Sequence, residues 1–498
     1  MKIRLNKTML AGLILLLLPL AEGRAQQEPQ QPVVLQLTLE KAIEIAMSES
    51  PTVRVANLEI EKKQYARKGA ESSLYPQIDA VGQYTRTVQK QVMYMDGAFD
   101  MGSMLNPVLV PLAGGIEGAL GSIPGYNPGT FGQMYEQLQR DYLAANPPAS
   151  GDEGITVGRD NNWTMGLTLN WPVIVPTLWK SLQLSSLDVE LAVEEARASK
   201  MNLSNDIKKA YYGVLLAQDS YNVFKKSHDN AIMSYNDIKQ KHEQGMASEF
   251  DLIRADVQVK SVKPNLIQAQ NALNLATLSL KALMGVDMDL PLEAAGSLKD
   301  YEETLYADMI QADTSLANNP DLKKFDIHTE QLKTSLELYK AQYWPTVAIS
   351  GQYMYMSMNN DFRFSDYKWN PYSTVGLSVS IPLFNGFKKQ SNIRETKVSI
   401  EQMKWQREDV VRKLTLSVKN SVSSMTNYVE QVYSSGDVVK QAQKAYEIAQ
   451  KRYETGMGTL LELNDALLAV TQTQLMYNQA IFNYLSSKAD LAKTLGLE

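Results

Sequence analysis

Few side chains in this 498-residue sequence could carry chemistry, and they do not converge. An acid–base or metal centre needs imidazole, carboxylate or thiolate groups brought together. The chain has three histidines, His228, His242 and His328, scattered along helical stretches, and no cysteine. His228 falls in a heptad frame, which marks it for packing at a helix seam. Gly114-Gly115-Ile116-Glu117-Gly118, with Gly121, has the glycine content of a phosphate loop, but no Gly-Lys-Ser/Thr follows, which argues against a nucleotide site. Met93, Met95, Met101 and Met104, with Met354, Met356 and Met358 just past a later strand, make a thioether-rich region. Soft sulfur suits Cu(I), while flexible apolar loop packing is the plainer reading. Glu462 and Asp465 stand one helical turn apart, and such a pair by itself is usually a solvated face. These residue types point away from an enzyme and imply no cofactor and no metal.

The elements around them are more informative. The acids follow a glycine-rich tip, Glu454-Thr455-Gly456-Met457-Gly458-Thr459, where a chain reversing between two helices needs residues without a Cβ. Upstream, every seventh position is apolar: Val411, Val418, Met425, Val432, Val439, Tyr446 and Tyr453. A seven-residue repeat held that long keeps one seam of a helix on its neighbour. From Gly386 to Thr455 there is no proline, so the pattern predicts a helix about 100 Å long.

The first 25 residues read as a secretory signal. Lys2, Arg4 and Lys7 lead an apolar core from Met9 to Leu20, and Gly23-Arg24-Ala25 is a small-x-small cleavage site. The formal net charge is -6 and becomes more negative once that basic segment is removed. An acidic, exported chain argues against nucleic acid as a partner. Beyond the signal no run of 18 apolar residues occurs, so any membrane crossing would be made by strands.

The chain is written twice. Tyr75-Pro76 through Gly82-Gln83-Tyr84 matches Trp344-Pro345 through Gly351-Gln352-Tyr353 at an offset of 269, which also pairs Pro51 with Pro320. Gly166 to Pro172 matches Gly376 to Pro382 at 210, and the tips Gly245-Met246 and Gly456-Met457 differ by 211, as do Gly285 and Gly496. The drop from 269 to 210 places 59 extra residues between the two strands of the first half. The first half, 26–285, reads as a helix over 52–74, strands over 76–86 and 163–171, a long extracellular loop over 87–160, and a helical hairpin over 178–284. The second half, 286–498, reads as a mixed segment 286–319, a helix over 320–343, strands over 345–356 and 373–382, and a hairpin over 387–496.

The strands alternate. Trp163, Met165, Leu167, Leu169 and Trp171 oppose Thr164, Gly166, Thr168 and Asn170, and Val375, Leu377, Val379 and Ile381 oppose Gly376, Ser378 and Ser380. A soluble sheet alternates likewise, but spans of about 9–11 residues with aromatics at their ends favour lipid on the apolar side. Four strands cannot close a barrel, and an open edge cannot sit in lipid. The pattern therefore predicts an α+β membrane protein, internally duplicated, giving four β-strands per chain to an oligomeric barrel. It leaves the number of copies open.

Gly376-Leu377-Ser378-Val379-Ser380-Ile381-Pro382-Leu383-Phe384-Asn385-Gly386 and Gly456-Met457-Gly458-Thr459-Leu460-Leu461-Glu462-Leu463-Asn464-Asp465-Ala466 resemble the outer membrane efflux protein family, the TolC-like channel tunnels. The resemblance covers roughly residues 35 to 496. It implies a homotrimer with a 12-stranded outer membrane β-barrel, continuing into a long periplasmic α-helical barrel. It implies a periplasmic adaptor and an inner membrane RND, MFS or ABC pump docking at the tips Gly245, Met246, Gly456, Met457 and Gly458. It implies an exit duct for small molecules such as drugs or toxic compounds, with an outlet for type I protein secretion as the alternative. An exported coiled-coil scaffold without a pore is the structural alternative. The family's entrance acids fall on Glu462 and Asp465, and its closing links on Tyr453 and Asp251. Its basic partner falls on Gly458, where this chain has no charge.

Overall fold

The structure is a computed structural model that describes residues 35–93, 101–145, 155–302, 305 and 315–497. The expected signal 1–25 and Met95 lie outside the described residues, as do the side chains of Met93, Met101 and Met104. In chain order the elements are β1 (Leu35–Leu37), α1 (Leu39–Glu49), α2 (Pro51–Ser72), β2 (Gln77–Arg86), β3 (Gln91–Met93), α3 (Met101–Leu120), α4 (Thr130–Ala145), β4 (Ile155–Val157) and β5 (Asn161–Ile174). Then follow α5 (Pro176–Glu243), α6 (Glu249–Met284), β6 (Leu292–Ala294), α7 (Pro320–Ala341), β7 (Thr346–Asn359), β8 (Asn370–Ser380), α8 (Lys388–Glu454) and α9 (Leu460–Leu495). They divide into two compact units.

The first unit comprises residues 1–61, 190–327 and 403–498. Its core is made by helix seams. Along α8, Val418, Met425 and Val432 are buried and Val411, Val439, Tyr446 and Tyr453 half-buried, so the whole heptad faces protein. Ala255, Val262 and Ala269 repeat the same spacing on α6. β1 pairs in parallel with β6, and the buried Tyr211 of α5 donates to the carbonyls of Leu37 and Ala295 at 3.1 and 2.7 Å. The duplication extends to atoms. Gly285 and Gly496, closing α6 and α9, take φ 75° and 77°. A Cβ on Gly285 would strike Glu49, Ser50 and Pro51, and one on Gly496 would strike Asn318 and Asn319, the counterparts of Glu49 and Ser50. Glycine stands there because neither the left-handed backbone nor the neighbouring chain admits a side chain.

The second unit comprises residues 62–189 and 328–402 and is built on one antiparallel sheet ordered β2-β5-β7-β8. Register places Tyr84 beside Trp163, Leu167 between Ala80 and Tyr353, and Ile349 between Trp171 and Leu377. Alternation then carries Ile78, Ala80, Met165, Leu167, Leu169, Ile349, Tyr353, Val375 and Leu377 onto one face, while Val81 and Tyr372 fall on the other. The opposite face holds Asp79, Gln83, Thr164, Gly166, Thr168, Gln352, Ser378 and Ser380. β7 reaches Asn359, so Met354, Met356 and Met358 lie within the strand, not beyond it, and on the polar-side register. The strand runs on because Asn161–Thr164 of β5 pairs with it that far. Between β2 and β5, in the stretch read as a loop, the chain forms the helical hairpin α3–α4 and the short antiparallel pair β3–β4. Pro107, Pro111 and four glycines in α3 hide that helix from a sequence reading.

Candidate functional site: the helical tips and an open-edged sheet

The two tips are built alike. At the first, Gly245 takes φ 77°, and the Met246 N–H returns to the Lys241 carbonyl at 2.7 Å. At the second, Gly456 takes φ 76°, and the Met457 N–H returns to the Arg452 carbonyl at 2.9 Å. These closures satisfy carbonyls that the ending helices α5 and α8 would otherwise orphan. The outgoing helices are capped by hydroxyls. Ser248 Oγ accepts the Asp251 N–H at 3.1 Å and donates to Asp251 Oδ2 at 2.7 Å. Thr459 Oγ1 accepts the Glu462 N–H at 3.2 Å, and Glu462 Oε2 accepts the Thr459 N–H at 3.4 Å in a capping box. Asp251 and Glu462 are therefore equivalents, each the third residue of its helix. Asp465, one turn on from Glu462, is exposed. Met246 and Met457 project from the tips into solvent.

The absent cation at Gly458 has a steric reason. A Cβ there would stand 3.0 Å from the Cβ of Arg452, and the Gly458 N–H bonds the Arg452 carbonyl at 2.9 Å. Arg452 is the cation beside it. Its Nη2 donates to the Met457 carbonyl at 3.2 Å and its Nη1 lies 3.7 Å from Glu462 Oε2. A second cation bridges the hairpins. Lys241 Nζ, 2.8 Å from Asp237, sits 5.1 Å from the centroid of the Tyr453 ring. Ile238, Ala255 and Leu460 are buried beside it, with Tyr235, Ala247, Leu252 and Tyr453 packed around them. Burial raises the Tyr453 phenol above its ordinary value, and the charges of Asp237 and Asp251 add to the shift. Asp251 gives its hydrogen-bonding capacity to Ser248, so it reaches Tyr453 through its field. His242 donates from Nδ1 to the Ala247 carbonyl at 3.0 Å and ties the first tip.

Lys241 and Arg452 were not legible as site residues. Each lies in the last turn of its helix, where a basic side chain is expected simply to oppose the helix dipole.

The sheet of the second unit is a separate candidate feature. Aromatics mark both ends of its apolar face. Tyr84 and Trp163 stack at 4.5 Å between centroids, with Phe362 and Phe364 beside them, and Trp171 Nε1 donates to the Leu74 carbonyl at 3.2 Å at the opposite end. Trp163 to Trp171 spans about 26 Å along β5, close to the apolar band of an outer membrane barrel. β2 and β8 are paired on one side only and are exposed throughout. No helix among the described residues is long and apolar enough to cross a membrane.

The family model for the outer membrane efflux protein matches residues 139–286 and 312–497. The chain belongs to the outer membrane efflux protein family. It is 22% identical over 365 residues to the toluene efflux pump outer membrane protein TtgC of Pseudomonas putida, covering 72% of this chain and 73% of that protein. It is 21% identical over 308 residues to the alkaline protease secretion protein AprF of Pseudomonas aeruginosa, covering 60% and 63%. In fold it is similar to the outer membrane protein VceC of Vibrio cholerae, with a TM-score of 0.64 and 16% identity over 92% of this chain and 96% of that one. The MtrE outer membrane channel of Neisseria gonorrhoeae gives 0.65 and 16%, over 92% and 89%. This family of outer membrane efflux proteins is made up of channel proteins. The chain is accordingly an efflux duct of the Gram-negative outer membrane with a periplasmic tunnel.

Proposed function

We propose that three copies of this chain close a twelve-stranded barrel and form the exit duct of a tripartite efflux system, doing no chemistry of their own. The observation that carries this reading is the four-stranded sheet with one continuous apolar face and two open edges. Along an edge strand about half the backbone groups lack a partner, and each costs several kcal/mol in hydrocarbon. Pairing β8 of one copy with β2 of the next removes every edge. Two copies would give eight strands, a barrel about filled by its own side chains, whereas twelve strands leave a lumen.

In this assembly three sets of tips surround an axis. Glu462 and Asp465 are the acids of a cation-attracting ring, and Tyr453 with Asp251 belongs to the closure between hairpins. Gly245, Met246, Gly456, Met457 and Gly458 present the surface on which a periplasmic adaptor docks, and the energy comes from an inner membrane RND, MFS or ABC pump. Small toxic compounds are the favoured cargo because the relatives include a toluene efflux component. Likeness to a protease secretion component supports protein export as the second reading.

The test is single-channel recording of the purified protein in a planar bilayer, wild type beside Glu462→Ala/Asp465→Ala. Small, mostly closed, cation-selective currents that grow or lose selectivity in the variant are expected. Failure to insert or conduct refutes the duct. Unchanged current in the variant removes the acids from the gate.

A further inference from the structure

The hairpin α3–α4 is a preformed body that leaves large apolar side chains exposed among the described residues. Glu117 locks it. The carboxylate accepts the N–H of Gly129, the N–H of Gly132 at 3.1 Å and the Tyr126 hydroxyl at 3.1 Å, all at the entrance to α4. The Gly129 bond is the main cause holding Glu117 below the usual carboxylate range. From Val108 to Leu120 every residue but Glu117 is apolar, or is glycine or proline. Val108, Leu112 and Ile116 line one side of α3 and Val110 another, at 64%, 57%, 37% and 55% exposure, and Met134 and Leu138 form a matching exposed stripe on α4. A helix apolar all round is a helix meant to be buried.

Two surroundings could bury it. A lipid surface is disfavoured by charge. Helices that lie on membranes carry Lys and Arg on their polar side, whereas α3 has no cation. The lone cation of α4, Arg140, is 3.3 Å from Glu136 in an ion pair, with Asp141 beside it in sequence. Nor can α3 span a bilayer. The other surrounding is a second copy. The hairpin follows β2, the open edge at which the neighbouring chain joins in the trimer read above, so the nearest apolar surface of its kind is the same hairpin on the next subunit.

We infer that the α3–α4 hairpins of three copies pack on one another and form a helical cap over the outer mouth of the barrel, an interface between copies distinct from strand pairing. This rests on the trimer reading. Because the chain has no cysteine, single substitutions report cleanly. Leu112→Cys, Leu138→Cys and the pair together would be treated with a bismaleimide in outer membrane vesicles. Glu136→Cys on the same hairpin serves as the solvent control, and native mass is measured in parallel. The cap predicts covalent dimers and trimers from the apolar positions, and labelling by a water-soluble maleimide at least tenfold slower than at the control position. A trimer whose apolar cysteines label as fast as the control, without crosslinks, overturns the cap. So does a trimer in which a fluorophore at 112 is quenched by bromolipids, which would place the hairpin on the membrane. A monomeric native mass refutes the trimer itself.

Discussion

Lys241→Met isolates the cation that bridges the hairpins. In wild type its ammonium has two partners, Asp237 at 2.8 Å and the Tyr453 ring at 5.1 Å. Asp237 lies one turn back on the same helix, so that pair persists when the tips separate and contributes nothing to the difference between closed and open states. The contact with Tyr453 crosses hairpins, so the gate proposed above would lose it on opening. A partly exposed cation–π contact of this kind is worth about 0.5–1 kcal/mol. If three tips open in concert the losses add to about 1.5–3 kcal/mol, a shift of about 10- to 150-fold in the open-to-closed ratio. Tyr453→Ala also removes a half-buried ring, adding about 2 kcal/mol per chain, and should leave the channel predominantly open. The assay is open probability in planar bilayers at fixed salt, where Lys241→Met must fall between wild type and Tyr453→Ala. A Lys241→Met channel as closed as wild type, with Tyr453→Ala open, would refute the latch and leave the ring acting through packing alone.

Two further outcomes follow from local geometry. Gly496→Ala meets both a φ of 77° and the backbone of Asn318 and Asn319, so it should destabilise the first unit by about 2 kcal/mol or more, read as a lower thermal midpoint. A midpoint within error of wild type would mean that this closure is not fixed by sterics. Glu117 has a folded pKa below its ordinary value, so its stabilisation of the hairpin is present above about pH 4.3 and is lost as pH falls through the lowered value. Hydrogen exchange should show the amides of Gly129 and Gly132 losing protection in that acid range, a step that Glu117→Gln lacks.

What sequence conveyed depended on how many residues shared one task. The heptad on α8 was visible because seven positions repeat the same demand, and each of them is buried or half-buried. The strand alternation was visible because every second residue along each strand shares one face of the sheet. The glycines 245, 285, 456 and 496 were visible because the duplication displays them twice. The contact between Lys241 and Tyr453 was hidden because the two lie 212 positions apart and meet by packing between hairpins that no local pattern encodes. The α3–α4 hairpin was hidden because its composition, rich in glycine and proline, is that of a loop. A single carboxylate, Glu117, supplies the anchor that makes it a helix pair. The placement of Met358 within the strand, beyond the end read at residue 356, was missed because strand length there is set by the partner, β5, and not by β7's own residues.

The equivalence of Asp251 and Glu462 bears on how the proposed entrance ring is tested. Glu462 does two things at once. It closes the capping box of α9 with Thr459, and it places a negative charge 3.7 Å from Arg452 near the tip. Truncation to alanine removes both, and losing half a capping box alone costs about 0.5–1 kcal/mol at the helix end that carries the tip. A change of current in Glu462→Ala/Asp465→Ala could then come from a frayed helix rather than from lost charge. Glu462→Gln/Asp465→Asn separates the two, since glutamine serves a capping box as glutamate does while the charge is gone. If six carboxylates around an axis set the selectivity, the amide pair should abolish cation preference as fully as the alanine pair, with an open probability closer to wild type. Reversal potentials in a tenfold salt gradient measure the first and dwell times the second. Retained cation selectivity in the amide pair would refute the ring and leave Glu462 as a helix cap whose acidity does no work in the channel.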